Sequence, residues 1–290
     1  MKTLRVPIAL VISIAVVLSG CASTSIRGSQ YIELSIMLDG EGYQIPAVVT
    51  LPVGNGPFPA VVMLHGFGSN KDEAGNAYLL FAPELAQNGI ASIRFDFMGY
   101  GDSTIDHAQF DLNIGVAEAL KAANYIAGLA EVDGNRLGIM GWSKGGGLAL
   151  LAAGRDARFK SVLTWAGATD LSGVYTSEGY AQARQNGTYV VDLGWRPPFN
   201  ISLQAFEVNA STDILAEFAN SSIPVFAIIG SEDTSVNPAS AAVIENTSQN
   251  SGSSSLIIDG ADHTFNIFTD DRAAFDKLRQ VTTQWFQDTL

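Results

Sequence analysis

An α/β fold, with a mostly parallel sheet flanked by helices, follows from three features of this 290-residue chain. Strand-like and helix-like stretches alternate along it, which implies successive βαβ units. The strand-like stretches are short and nearly continuously apolar, as expected of strands buried on both faces of a parallel sheet. With 47% apolar residues, the chain can fill the core of one large domain.

The elements are read in order. Tyr31–Leu38 and Ile45–Leu51 flank Asp39-Gly40-Glu41-Gly42, which predicts an antiparallel hairpin leading into the sheet. Six apolar β-rich runs then predict strands at Ala60–Leu64, Ile90–Phe95, Leu137–Met140, Val162–Trp165, Val225–Ile229 and Ser255–Ile258. Between and after them, helix-compatible segments occupy Tyr78–Asn88, Leu112–Leu129, Lys144–Ala153, Ala239–Asn246 and Arg272–Leu290. The alternation breaks over Leu171–Asn220, which carries Trp195, the pair Pro197-Pro198 and no clear strand. A stretch that long inside a compact domain is expected to be functional, and it is read as a cap inserted over a pocket. The domain as a whole is assigned to residues 31–290.

The N-terminus is read as an address. Lys2 and Arg5 form a positive region, Val6–Leu18 is apolar, and Leu18-Ser19-Gly20-Cys21 follows. This is a signal-peptide pattern, too short for a comfortable membrane span. The tetrapeptide resembles a bacterial lipobox, with the single cysteine of the chain at the modified position. That resemblance implies a lipoprotein signal peptide over residues 1–20, lipidation of Cys21 and a membrane anchored through its acyl chains. Ala22 stands where proteins kept at the inner membrane carry Asp, so the expected location is the cell envelope, at the outer membrane. The remainder of residues 21–30 is expected to be a polar tether. An ordinary secreted protein or an uncleaved anchor are the other readings.

Charge excludes some partners. Sixteen Lys and Arg against 29 Asp and Glu give a net −13, the wrong sign for neutralising phosphates, so nucleic acid is not an expected partner. One cysteine rules out a disulfide framework and a zinc ribbon. The three histidines, His65, His107 and His263, lack ligand spacing, and no calcium-loop pattern is present, so no metal or cofactor is expected.

The chemistry concentrates in Gly141-Trp142-Ser143-Lys144-Gly145, a G-x-S-x-G between a predicted strand and a small-residue helix. That setting is a nucleophile elbow: a sharp turn exposes the serine, and small neighbours let helix and strand approach. The helix N-terminus adds a positive dipole and unpaired N–H groups beside Ser143. His65-Gly66-Phe67-Gly68 directly follows the strand Ala60–Leu64. Its main chain is expected to supply the second oxyanion-hole donor, at Phe67, the first being the amide of Lys144. His65 itself is read as a structural loop residue.

Five stretches, His65–Glu73, Arg94–Ser103, Gly141–Gly146, Pro224–Pro238 and Asp259–Phe265, resemble in content and order those of the α/β-hydrolase superfamily. The branch they resemble is that of bacterial cinnamoyl and feruloyl esterases. The resemblance implies a triad in the order Ser143, Asp233, His263, with Glu232 as the alternative acid. It also implies a cofactor-free hydrolase that cleaves small-molecule carboxylic esters of small or medium acyl groups through an acyl-enzyme. A serine peptidase or thioesterase on the same triad stays open, as does a non-catalytic envelope lipoprotein that only binds a ligand. Tyr100 and Lys144 depart from the His and Gln of that branch. Asp96 and Ser103 are expected to be architectural, Asp262 to shape its loop, and His107 to be solvated on a surface loop. Trp165, Tyr175, Tyr180, Trp195 and Phe199 are read equally as pocket aromatics or cap core.

Overall fold

The structure, a computed structural model, describes residues 23–26, 30–40 and 42–290. The expected signal peptide and the lipidation site Cys21 lie outside the described residues. Eleven strands and eight α-helices are present among the described residues.

Nine strands form one sheet. The hairpin of β2 (Tyr31–Asp39) and β3 (Gln44–Pro52) enters antiparallel, and β3 pairs antiparallel with β5 (Ala91–Phe95). From β5 the sheet is parallel through β4 (Phe58–Leu64), β6 (Val132–Trp142), β7 (Phe159–Trp165), β10 (Val225–Gly230) and β11 (Ser254–Ile258). Helices α1 (Ala77–Gln87), α2 (Leu112–Ala127), α3 (Lys144–Arg155), α7 (Ser240–Thr247) and α8 (Ala273–Thr289) are the crossovers and flanks. The mostly parallel α/β architecture expected from the alternation is therefore present.

The core lies where the apolar runs put it. Val61, Val62, Met63 and Leu64 of β4, and Leu137, Ile139 and Met140 of β6, are fully buried. Because the central strands are parallel, the loops after β4, β6, β10 and β11 leave from the same edge of the sheet. Ligand sites of open α/β sheets form at that edge. Among the described residues, no helix is long and apolar enough to cross a membrane.

Two expectations are corrected. The segment read as a polar tether contains β1 (Ser23–Ile26), paired antiparallel with β2. The outer edge of β2 offers unpaired N–H and C=O groups, and a neighbouring chain segment satisfies them whatever its polarity. The region 171–220, read without strands, carries α4 (Ser177–Asn186), the antiparallel pair β8 (Thr188–Val191) and β9 (Phe199–Ser202), α5 (Leu203–Ser211) and α6 (Ile214–Phe218). Its strands span four residues each, too short for an alternating pattern to stand out from the glycine- and proline-rich sequence around them.

Candidate active site

Ser143 follows β6 directly and precedes α3, with φ 54° and ψ −121°. An L residue rarely holds such a conformation. Its amide donates to the carbonyl of Trp165 at 2.9 Å, and its own carbonyl accepts from the amides of Gly146, Gly147 and Ala168. The turn is thus held from both sides. The elbow's glycines are spatially required: a Cβ on Gly141 would lie 2.0 Å from the Gly145 carbonyl oxygen, and one on Gly145 2.2 Å from that of Leu64. Gly145→Ala is expected to force helix and strand apart at a cost of about 3 kcal/mol. That corresponds to a drop of about 6–12 °C in the thermal midpoint. Circular dichroism melts of the variant and the parent check this, and an unchanged midpoint would remove the packing argument.

His263 and Asp233 come from the loops after β11 and β10. Nδ1 of His263 lies 2.7 Å from Oδ2 of Asp233, whose side chain is fully buried. The other carboxylate oxygen accepts from the amides of Ser235 and Val236, each at 2.8 Å. A carboxylate only accepts, so Nδ1 carries the proton and Nε2 is the basic nitrogen. Glu232, the alternative acid, is exposed. The indole of Trp142 donates to the carbonyl of His263 at 3.1 Å, tying the histidine loop to the elbow. Asp262 shapes that loop as expected, accepting from the amides of Thr264 and Asn266.

The loop after β4 brings Phe67 to the same place. Nε2 of His65 accepts from the amide of Phe97 at 3.1 Å, so its Nδ1 donates to the carbonyl of Gly66 at 2.8 Å. That carbonyl shares a peptide plane with the Phe67 N–H, so His65 orients the expected donor. Burial holds the imidazole neutral, lowering its pKa to about 3. Asp96 accepts from the main chain and Nζ of Lys71, locking this loop to the turn after β5 as the architectural reading anticipated.

Ser143, His263, Phe67 and Lys144 line one cavity of about 820 Å³, together with Trp142, Leu171, Val174, Trp195 and Phe268. Among the described residues, no group of three His, Cys, Asp or Glu side chains gathers to hold a metal.

Several readings change. His107, expected in solvent, is 4% exposed. It contacts the carbonyl of Asn200 in β9 through Nδ1 at 2.7 Å, and the hydroxyl of Tyr100 through Nε2 at 2.7 Å. The carbonyl requires a proton on Nδ1, so Tyr100 donates to Nε2 and accepts from Nζ of Lys144 at 2.9 Å. Lys144 is buried among the rings of Phe67, Tyr100 and Phe110, and burial lowers its pKa to about 7. The two residues that depart from the esterase pattern, Lys144 and Tyr100, thus pair directly.

Of the five aromatics, Trp195 lines the cavity, 73% exposed at its rim. Trp165 is core, donating to Thr282 at 2.8 Å. Tyr175 and Tyr180 pack on Phe206 within the cap, and Phe199 packs on Phe67 and His107. Sequence reasoning missed Phe268, 69% exposed, which lines the same cavity as Trp195. It also missed Glu73, a buried carboxyl in the cavity wall.

Buried titratable groups give this site a pH signature. Desolvation lowers His65 and His107 to about 3, so the unfolded chain binds more protons between 3 and 6.5, and stability falls as pH drops through that window. Desolvation raises Glu73 and Glu118 to about 7, so the folded chain binds more protons between 4.5 and 7, with the opposite slope. The two pairs cancel between about pH 4.5 and 6.5. The thermal midpoint is expected to be flat there and to fall steeply below pH 4.5. A midpoint declining steadily on acidification from pH 6.5 would contradict the raised carboxyls of Glu73 and Glu118, and one rising steadily from pH 6.5 to 4.5 would contradict the neutral burial of both histidines.

Comparison with known proteins accords with this geometry. Residues 84–290 match the sequence profile of the prolyl oligopeptidase family. The chain is 30% identical over 133 residues to 2,6-dihydropseudooxynicotine hydrolase of Paenarthrobacter nicotinovorans, covering 45% of this chain and 34% of that protein. It is 30% identical over 138 residues to the quorum-quenching protein AidA of Acinetobacter baumannii, covering 47% of this chain and 44% of that one. The chain thus spans less than half the length of these curated relatives. Among solved structures it is similar to Est1E from Butyrivibrio proteoclasticus, with a TM-score of 0.71 at 17% identity, covering 88% of this chain and 98% of that one. This likeness concerns the fold, and it extends to an Est1E structure with bound ferulic acid.

Proposed function

Because the chain belongs to the prolyl oligopeptidase family of hydrolases, we propose that it is a serine hydrolase cleaving carboxylic esters of small or medium acyl groups. The observation that carries the reading is the Asp233–His263 pair at 2.7 Å, with His263 lining one cavity together with a serine on a strained strand–helix elbow. His263 Nε2 takes the proton of Ser143 as Oγ attacks the ester carbonyl. The amides of Phe67 and Lys144 stabilise the oxyanion, a first-turn amide such as that of Lys144 having no partner within its helix. The tetrahedral intermediate collapses with expulsion of the alkoxide, which leaves as the alcohol with the proton from His263. Water, deprotonated by the same imidazole, then releases the acid from Ser143. Asp233 holds the tautomer and stabilises the imidazolium.

A cavity of about 820 Å³ with a mainly apolar lining supports a small or medium acyl ester. The family match favours a second reading, an amide-cleaving peptidase on the same triad, which places the same demands on these five residues. A chromogenic panel of p-nitrophenyl acetate and butyrate, an acyl thioester and an aminoacyl p-nitroanilide separates the bond types. Turnover of the esters at least about tenfold faster in kcat/KM supports the ester reading; preference for the anilide overturns it.

The N-terminal sequence supports a further part of the proposal, that Cys21 is diacylated and holds the domain at the bacterial envelope, outer membrane rather than inner. Cys21→Ser is expected to move the protein from the membrane pellet to the soluble fraction. Retention of the variant in the pellet would overturn the anchor.

A further inference from the structure

Glu73 is a buried titratable group in this cavity whose side chain the proposed mechanism leaves without a task. It is 6% exposed, and it lines the cavity with Ser143 and His263. Its main chain is held at φ 64° and ψ 174°, a region almost confined to glycine. A glycine would adopt the same turn at lower backbone cost. The strained backbone instead serves to aim the side chain inwards. Oε1 accepts the amide of Gly66 at 2.8 Å, seven positions back along the chain, and Oε2 accepts the amide of Ala74 at 3.2 Å.

Gly66 is thereby pinned on both sides. His65 holds the peptide plane that follows its Cα, the one ending in the Phe67 N–H, and Glu73 holds the plane that precedes it. The carboxylate and the nucleophile are close neighbours of that same atom: a Cβ on Gly66 would meet Oε1 at 3.0 Å and the Ser143 Cβ at 3.5 Å. We propose that Glu73 is a positioning residue of the oxyanion site, whose ionised carboxylate fixes the aim of the Phe67 N–H and adds a second negative charge facing the His263 imidazolium. This inference rests on the serine-hydrolase reading of the site.

The surroundings make that charge conditional on pH. Burial raises the Glu73 carboxyl to about 7, opposed by hydrogen bonds from Ser69, Gly66 and Ala74 and by the charge of His263. Tyr78 faces it from α1, its hydroxyl committed to the carbonyl of Leu64. The cation and the acid just before it in sequence are engaged elsewhere: Lys71 with Asp96 and Asp102, and Asp72 with Arg94. Among the described residues no salt bridge reaches Glu73, so its charge is set by the cavity and by His263.

The test uses the full-length chain, with p-nitrophenyl acetate as substrate and a p-nitrophenyl alkylphosphonate as a reagent that labels Ser143 without turnover. Glu73→Gln keeps the shape and an acceptor for Gly66 but removes the charge. It is expected to lower kcat about 10- to 100-fold with KM within about twofold, because the loss is confined to the transition state. In the parent, the acid limb of log(kcat/KM) below pH 7 is expected to be steeper than one proton, since both His263 and Glu73 must be ionised correctly. In Glu73→Gln that limb relaxes to one proton.

An unchanged kcat, or a fall in kcat with the same limb slope in both proteins, overturns the proposal. If Glu73→Gln does not fold, the pH dependence of phosphonate labelling in the parent decides alone, and a one-proton acid limb overturns it. Failure of the underlying reading is distinguishable, since Ser143→Ala would then still be labelled or still turn over substrate.

Discussion

Ser143→Ala is expected to lower kcat for p-nitrophenyl acetate by about 10⁴-fold or more, leaving the thermal midpoint within about 2 °C of the parent. The proposed reaction routes every bond change through one oxygen, that of the cavity residue standing on the strand–helix elbow. The serine contributes little to the fold, because the bonds that hold the elbow are made by its main chain to Trp165, Gly146, Gly147 and Ala168. Alanine keeps those bonds and the same positive φ. Residual acceleration over water would come from the oxyanion amides and from binding. Initial rates at saturating substrate, beside a melting curve, check both halves. Turnover that survives the substitution would mean that the nucleophile lies elsewhere.

Asp233→Asn is expected to lower kcat by roughly 10³- to 10⁴-fold, nearly as much as removing the base. The reason is the asymmetric demand on this side chain. One oxygen accepts two main-chain N–H groups, from Ser235 and Val236, and the other accepts Nδ1–H of His263. An amide has one oxygen and one NH₂. With its oxygen towards the two amides, its NH₂ faces His263 and forces Nδ1 to become the acceptor. The proton then resides on Nε2, the nitrogen that must receive the proton of Ser143. Glu232→Gln, one residue away and exposed, is the control and is expected to stay within about twofold of the parent. The reverse ranking of these two variants would assign the acid to Glu232.

Much of the fold was legible because buried parallel strands advertise themselves. Runs such as Ala60–Leu64 and Val225–Ile229 are apolar at every position, and the helices between them end within a residue or two of where the pattern does. The elbow was legible for a different reason. Tight backbone approach at Gly141 and Gly145 and a helix start beside the serine leave few residue types possible, so the constraint is written into five consecutive positions. The cap was not legible in detail, since four-residue strands carry little periodic signal.

His107 illustrates the same limit at one side chain. Its local sequence is polar and loop-like, and only the arrival of β9 from more than ninety residues away encloses it. Phe268 likewise gave no signal, since nothing in the sequence sets it apart from the neighbouring Phe265 and Ile267, which are buried. Glu73 lay within a recognisable stretch, yet its significance comes from the turn that points it back at Gly66.

The chain order of the two candidate partners of Ser143 was implied only by resemblance; by itself, the sequence determined the layer order of the domain and the turn that exposes Ser143. Those properties are local: hydrophobic period, turn chemistry and the spacing of a motif after its strand. The tertiary structure alone decided that Asp233 rather than Glu232 meets His263, that Lys144 and Tyr100 pair beside Phe67, and that two buried groups clamp Gly66. Each of these depends on which polar side chains become enclosed together. Enclosure is set by the whole packed sheet and cap, because a buried polar group is retained only where folding delivers its hydrogen-bond partner from elsewhere in the chain.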